Sequence, residues 1–69
     1  MHTILRLPAV MKRTGLPKST IYKMVSEKRF PTPVVLAARS VGWVEADIND
    51  WIDARILRST LVTNVERKL

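Results

Sequence analysis

A three-residue interruption, Gly15-Leu16-Pro17, limits what this chain can fold into more than any other feature. Glycine readily takes the left-handed conformation that ends a helix, and proline is tolerated at the start of the next one. The residues on either side have helical patterns, which predict one helix over residues 8–14 and another from residue 17 or 18 to about residue 28. Two helices joined by so short a turn are typical of a helix-turn-helix.

The second predicted helix has an aliphatic face and a polar one. Ile21 and Val25 are four residues apart, so they share a face, and this face is expected to pack inside the protein. At about 100° per residue, Ser19, Lys23 and Ser26 fall on the opposite side. The pattern therefore predicts a polar, cationic strip that faces away from the protein.

Charge is distributed unevenly along the chain. Residues 1–44 contain eight Lys/Arg and a single acid, Glu27, which gives this part a net charge of +7. Residues 45–69 contain four Lys/Arg and five Asp/Glu, a net charge of −1. Because the basic excess coincides with the two predicted helices, a polyanionic partner is indicated.

A hairpin is expected after the second helix. Residues 30–33 include two prolines, which cannot donate backbone hydrogen bonds and therefore end the helix. Segments 34–36 and 41–44 are rich in β-branched and aromatic residues, and they predict two strands with Arg39 at the tip of the turn. The apolar segment 4–7 is a candidate for a further short strand.

A third helix is predicted from Glu45 to at least Ile56. Side chains at helical spacing define its inward stripe: Ile48, Trp51, Ile52 and Ile56. Trp43, Trp51 and Phe30 are interpreted as core residues and not as platforms for base stacking.

We assign residues 1–57 to one domain and residues 58–69 to a tail. From the end of the domain into that tail, Leu57, Leu61, Val65 and Leu69 recur every four residues, which fits either a helix extension that pairs with a second copy or a fraying end.

Composition narrows the classes of function. A chain of 69 residues allows one domain, and the lack of cysteine excludes a disulfide or a thiolate zinc site. No apolar run approaches the roughly 20 residues needed to cross a bilayer, and no signal peptide is recognisable, so a soluble, cytoplasmic protein without membrane contact is expected. His2 is the sole histidine and no phosphate-binding loop is present. We expect neither catalysis nor a cofactor.

The chain resembles the AlpA family of small phage and prophage regulators over roughly residues 4–57. The residues that carry the resemblance are Leu5-Arg6-Leu7-Pro8, Arg13-Thr14-Gly15-Leu16, Ser19-Thr20-Ile21-Tyr22, Arg29-Phe30-Pro31, Pro33-Val34, Val41-Gly42-Trp43, Ala46-Asp47-Ile48 and Trp51-Ile52. The resemblance implies a mainly α fold with a small β-hairpin wing, that is, a winged helix-turn-helix of the excisionase/MerR type. It also implies a DNA-binding transcriptional regulator of mobile elements, associated with the bacterial nucleoid.

Residues on the second helix and the wing are the expected contacts with double-stranded DNA: Lys18, Ser19, Thr20, Tyr22, Lys23, Lys28, Arg29, Arg39 and Ser40. The second helix would enter the major groove and the hairpin would reach the minor groove or the backbone. A homodimer or adjacent copies on DNA, and an integrase or RNA polymerase, are the further partners considered. Two alternatives stay open: an excisionase-like recombination directionality factor, and a protein-interaction module that docks an acidic partner.

Three positions depart from the pattern of the family. Pro17 replaces the serine usual before the second helix, so a side-chain cap must come from elsewhere or be absent. Lys28 replaces the glycine usual after that helix, which makes a left-handed conformation there more costly. Ala37-Ala38 replaces a Gly-Gly pair before the wing arginine, so a different turn shape is expected.

Overall fold

The computed structural model describes residues 1–66, with side chains described for residues 1–60. In this part of the chain three helices accompany a three-stranded sheet. The elements in order are β1 (Ile4–Leu5), α1 (Leu7–Thr14), α2 (Lys18–Ser26), β2 (Val34–Ala37), β3 (Ser40–Val44) and α3 (Glu45–Glu66). This architecture is the predicted winged helix-turn-helix. No helix in residues 1–66 is both long and apolar enough to cross a membrane.

The central strand of the sheet is β3, which pairs antiparallel with β1 on one side and β2 on the other. Leu5 lies opposite Trp43, and Val34 lies opposite Gly42. A side chain at Gly42 would overlap Ile4 Cγ2, and its Cβ would lie 3.0 Å from the Leu5 carbonyl oxygen. Glycine at this position therefore allows β1 to approach. The predicted hairpin is confirmed, and the segment after the N-terminus supplies the third strand.

The core lies between the helices and the inner face of the sheet. Its fully buried side chains are Val10, Ile21, Trp43 and Ile48, joined by Met24 and Phe30. Trp43 donates a hydrogen bond from Nε1 to the Pro31 carbonyl oxygen at 2.9 Å, and its ring lies 6.4 Å from that of Phe30. The interpretation of Trp43 and Phe30 as core residues is confirmed, and α2 is anchored by its aliphatic side as predicted.

The predicted inward stripe of α3 is wrong at its last member. Ile48 is buried, and Trp51 and Ile52 pack partly against the core, but Ile56 is 59% exposed. Helical spacing places Ile56 on the inward side, but α3 extends past the elements that cover its first three turns. The side chains of Leu61 and Val65, and all of Leu69, lie outside the described residues. The division of the chain after residue 57 therefore stays a prediction.

Two left-handed residues end the first two helices. Gly15 has φ 73° and donates its N–H to the Met11 carbonyl oxygen at 2.8 Å, as its position in the sequence predicted. Lys28, at φ 60°, is the single non-glycine residue with positive φ in the described chain. The Lys28 N–H donates a hydrogen bond to the Val25 carbonyl oxygen, and the Arg29 N–H donates one to the Met24 carbonyl oxygen. This pair of hydrogen bonds defines a Schellman motif.

The left-handed lysine gives a testable consequence for stability. Lys28→Gly should stabilise the fold by about 1 kcal/mol, because a side chain in this conformation costs about 1–2 kcal/mol and glycine loses part of that gain through its freer unfolded chain. For a domain of this size the melting temperature should rise by about 4–8 °C. Thermal unfolding, monitored by circular dichroism, measures this change in melting temperature. Lys28→Ala removes the same charge but keeps the strained backbone, so equal stabilisation by alanine would refute the backbone explanation.

Candidate nucleic-acid interface

The outer face of α2 is open to solvent. Ile21 and Met24 fix the opposite face in the core, and this orientation leaves Lys18, Ser19 and Lys23 exposed. Thr20 is half-buried on the flank of this face. Helical spacing alone predicted this arrangement, so the structure brings the polar strip together where it was expected.

The N-terminus of α2 has no side-chain cap. Pro17, at the cap position, has extended φ and ψ of −72° and 160° and offers no side-chain oxygen, and the first turn contains no acid. The first backbone N–H groups of a helix have no partner within the helix, and they carry the positive end of its dipole. Such an end is suited to binding an anion, and here Lys18 and Ser19 stand beside it.

The positive charges around α2 are only slightly compensated. Glu27, the one acid in residues 1–44, pairs with Arg29 at 3.4 Å and not with Lys23, although Lys23 is four residues away on the same helix side. Among residues 1–60, no ion pair involves Lys18, Lys23, Lys28 or Arg39. No acid within residues 1–60 therefore competes with an external anion for these four cations.

The wing presents Arg39 at a two-residue turn, Ala38-Arg39, between β2 and β3. Arg39 is exposed and Ser40 is half-buried at the start of β3. Neither turn residue has a positive φ, so the hairpin does not use the type I′ or II′ turn that a Gly-Gly pair favours. A β-bulge between Val35 and Ala37 accompanies the turn. The altered turn shape expected from Ala37-Ala38 thus still places an arginine at the tip.

Tyr22 packs toward the sheet. Its ring lies 6.3 Å from that of Trp43, tilted by 53°, while the residue keeps 39% of its surface exposed. This aromatic neighbour belongs to β3, so the ring of Tyr22 is partly engaged with the core. The contact holds Tyr22 on the side of α2 that faces the wing.

Two arginines act in ways that the sequence did not reveal. Arg13 binds Glu45 through Nη2 at 2.8 Å and donates from Nη1 to Asn49 Oδ1 at 2.9 Å, joining the end of α1 to the start of α3. The backbone oxygen of Arg29, which follows α2, accepts a hydrogen bond from Nε1 of Trp51 on α3 at 3.0 Å. These partners are 22 to 36 residues apart, so no local spacing signals them.

The chemistry available on this surface is that of cations, hydroxyl groups and helix N–H groups. Within the described residues no group of three or more His, Cys, Asp or Glu side chains could hold a metal ion. Positive charge and hydrogen-bond donors suit the phosphates and base edges of a nucleic acid.

Comparison with known proteins identifies relatives of the chain by sequence. The sequence model of the family described as prophage CP4-57 regulatory protein (AlpA) matches residues 3–56. The DNA-binding transcriptional activator AlpA of Escherichia coli (strain K12) is 43% identical, with 75% of this chain and 83% of the relative covered. The uncharacterized protein ORF88 of Enterobacteria phage P4 is 38% identical, covering 75% of this chain and 59% of the relative. No solved structure shows a significant match.

Proposed function

This chain belongs to the AlpA family of prophage regulatory proteins, and we propose that it is a transcriptional regulator that binds double-stranded DNA sequence-specifically. The observation that carries the proposal is the exposed cationic face of α2, held outward by Ile21 and Met24. The 43% identity to a relative named a DNA-binding transcriptional activator supports the same conclusion.

In the proposed complex α2 lies in the major groove. The uncapped N-terminus of α2 and Lys18 bind a phosphate, which fixes the position of the helix along the duplex. Ser19 and Lys23 reach base edges, where a lysine can bond to guanine O6 and N7. Thr20, which is half-buried, contributes at the edge of this contact.

The wing and the end of α2 supply further backbone contacts. Arg39 reaches the minor groove or its phosphates from the tip of the hairpin, with Ser40 beside it. Lys28 and Arg29 add positive charge beyond the C-terminus of α2, and Tyr22 donates its hydroxyl to a phosphate from the side that faces the wing.

A single module of this size makes few contacts, so we propose that two copies occupy adjacent half-sites, as a dimer or side by side. The DNA-bound regulator would then act on RNA polymerase or on an integrase. Selection of duplexes from a random pool, followed by fluorescence anisotropy with the selected and a scrambled duplex, tests the proposal. Preferential binding of the selected duplex is expected, whereas absence of binding to any duplex at low salt would overturn it.

Lys23→Ala tests the assignment of the recognition face. The variant should bind its selected duplex about 1–3 kcal/mol more weakly, because one contact with a base edge is lost, and its preference at one base position should disappear. Anisotropy titrations with duplexes that differ from the selected one by single base pairs measure both effects.

Arg39→Ala is the matched variant, because it removes one positive charge from the wing and leaves α2 intact. It should weaken binding evenly across sequences, as expected for a contact with the backbone. Unchanged affinity in both variants would show that the DNA-binding face lies elsewhere on the fold.

A further inference from the structure

An open groove of about 450 Å³ lies beside α3, on the flank that faces the turn between α1 and α2. Its apolar lining consists of Leu16, Met24, Trp51, Ile52 and Ile56, and its rim carries Arg13, Arg29 and Arg55. A smaller cavity of about 280 Å³ continues along α3, lined by Arg29, Trp51, Ala54, Arg55 and Arg58. Together these residues form the arginine-rimmed groove.

The floor of the groove contains Ile56, a position with core spacing that no side chain within residues 1–60 covers fully. Ile56 continues the register of Ile48 and Ile52, yet 59% of its surface is exposed. Leu57, which follows Ile56 but does not line the groove, is 64% exposed. Adjacent apolar side chains left open at the end of a hydrophobic stripe are typical of a surface that another molecule covers.

The rim carries positive charge that the described part of the chain does not neutralise. Arg13 and Arg29 pair with Glu45 and Glu27, but no acid within residues 1–60 pairs with Arg55 or Arg58. The Arg55 guanidinium instead lies 4.9 Å from the centre of the Trp51 ring. Positive charge along one flank of an apolar floor is complementary to an occupant with apolar side chains between carboxylates.

We propose that the arginine-rimmed groove binds an acidic, amphipathic helix of another protein, which goes beyond the DNA-binding function proposed above. From Trp51 to Arg58 the groove spans seven steps of α3, roughly 10 Å, which matches two turns of a bound helix. Two aliphatic side chains four residues apart would cover Ile52 and Ile56, while flanking Asp or Glu side chains pair with Arg55 and Arg58.

The same features argue against a nucleic acid in this groove. A phosphate backbone would satisfy the arginines but would leave Ile52 and Ile56 against a polar chain. The groove is reached from the Met24 side of α2, whereas Ser19 and Lys23 point away from the core. A DNA-bound molecule would therefore keep Ile52, Arg55 and Ile56 available to a protein partner, while Arg29 alone belongs to both surfaces.

Two synthetic 16-residue helical peptides test the proposal on the full chain. Both carry leucines four residues apart, one flanked by glutamates and the other by lysines. In NMR titrations the glutamate peptide should shift the Trp51 indole N–H signal, while that of Trp43, buried in the core, stays in place as an internal reference. The lysine peptide should shift neither signal.

Variants of the groove complete the test. Arg55→Glu should weaken binding of the glutamate peptide by about tenfold, through loss of one ion pair and repulsion by the new carboxylate. Ile56→Ser, at an exposed position that does not support the fold, should weaken it as well. Lys12→Glu makes the same change in net charge as Arg55→Glu outside the groove lining, and should retain binding.

Three outcomes would overturn the proposal. The first is equal binding of the glutamate and lysine peptides, or no shift of the Trp51 signal by either. The second is a loss of DNA affinity in Arg55→Glu as large as in Lys23→Ala, which would make these arginines phosphate contacts. The third is concentration-dependent sedimentation that Arg55→Glu abolishes, which would make a second copy of this chain the occupant. The first and third outcomes do not depend on whether the selected duplex is bound, so the groove can fail this test while the proposed DNA-binding function stands, and the reverse.

Discussion

Trp43→Ala is expected to leave the chain largely unfolded at 25 °C. The residue has no exposed surface, lies on the central strand opposite Leu5, and has aromatic neighbours in both Phe30 and Tyr22. Truncating a buried tryptophan to alanine costs about 3–5 kcal/mol, and it also leaves the Pro31 carbonyl oxygen without its indole donor. A single core in a domain below about 70–80 residues supplies only about 3–5 kcal/mol in total.

Urea unfolding followed by circular dichroism, with one-dimensional NMR of the methyl region, measures the effect. Trp43→Phe keeps an aromatic ring in the core and loses the indole hydrogen bond, so it should remain folded with a lower midpoint. Trp51→Ala provides a second comparison, because Trp51 also donates its indole N–H but is only half-buried. A cooperative transition of Trp43→Ala within 1 kcal/mol of the wild type would contradict the role given to Trp43.

The features that could be predicted from sequence are those set by neighbouring residues. Gly15 ends α1 because glycine, which has no side chain, readily adopts the left-handed conformation. The spacing of Ile21 and Val25 determines which side of α2 faces the core. The prolines after Phe30 were expected to end α2, but the helix ends earlier, at Ser26, where the left-handed conformation of Lys28 closes it. These short-range effects define each element, and together they gave a correct order of helices and strands.

Features that depend on how far one element extends beside another could not be predicted. Ile56 has the spacing of a core residue, but its burial depends on where the neighbouring helices end. Arg13 reaches Glu45 across 32 residues, and Leu5 pairs with Trp43 across the sheet. Periodicity contains no information about these long-range distances.

The candidate site divides in the same way. The exposure of Lys18, Ser19 and Lys23 follows from helix geometry, so it was predictable from spacing. The contact of Tyr22 with Trp43 depends on the approach of β3 to α2, and no local spacing indicates it. The arginine-rimmed groove arises from residues of α1, α2 and α3 together, and no segment of the sequence indicates it.

DNA binding should weaken by roughly 500-fold when the monovalent salt is raised from 50 to 200 mM. The proposed contacts include five cations: Lys18, Lys23, Lys28, Arg29 and Arg39. If each displaces the counterion of one phosphate, which Lys23 can do from its position at a base edge in the groove, the slope of log K against log salt is about −4.5, because each such charge on B-DNA contributes about −0.9. Anisotropy titrations of the selected duplex at four or more salt concentrations give the slope directly.

The distribution of ion pairs decides which cations set that slope. Lys18 and Lys23 have no acidic partner within residues 1–60, so the Lys18→Ala/Lys23→Ala double variant should lower the magnitude of the slope by about 1.8. Arg29 must exchange its 3.4 Å contact with Glu27 for a phosphate, so Arg29→Ala should change the slope less than either lysine. A wild-type slope shallower than about −2 would mean that no more than two phosphates are neutralised. Such a value is incompatible with α2 and the wing both contacting the duplex, because α2 alone accounts for two of the five charges.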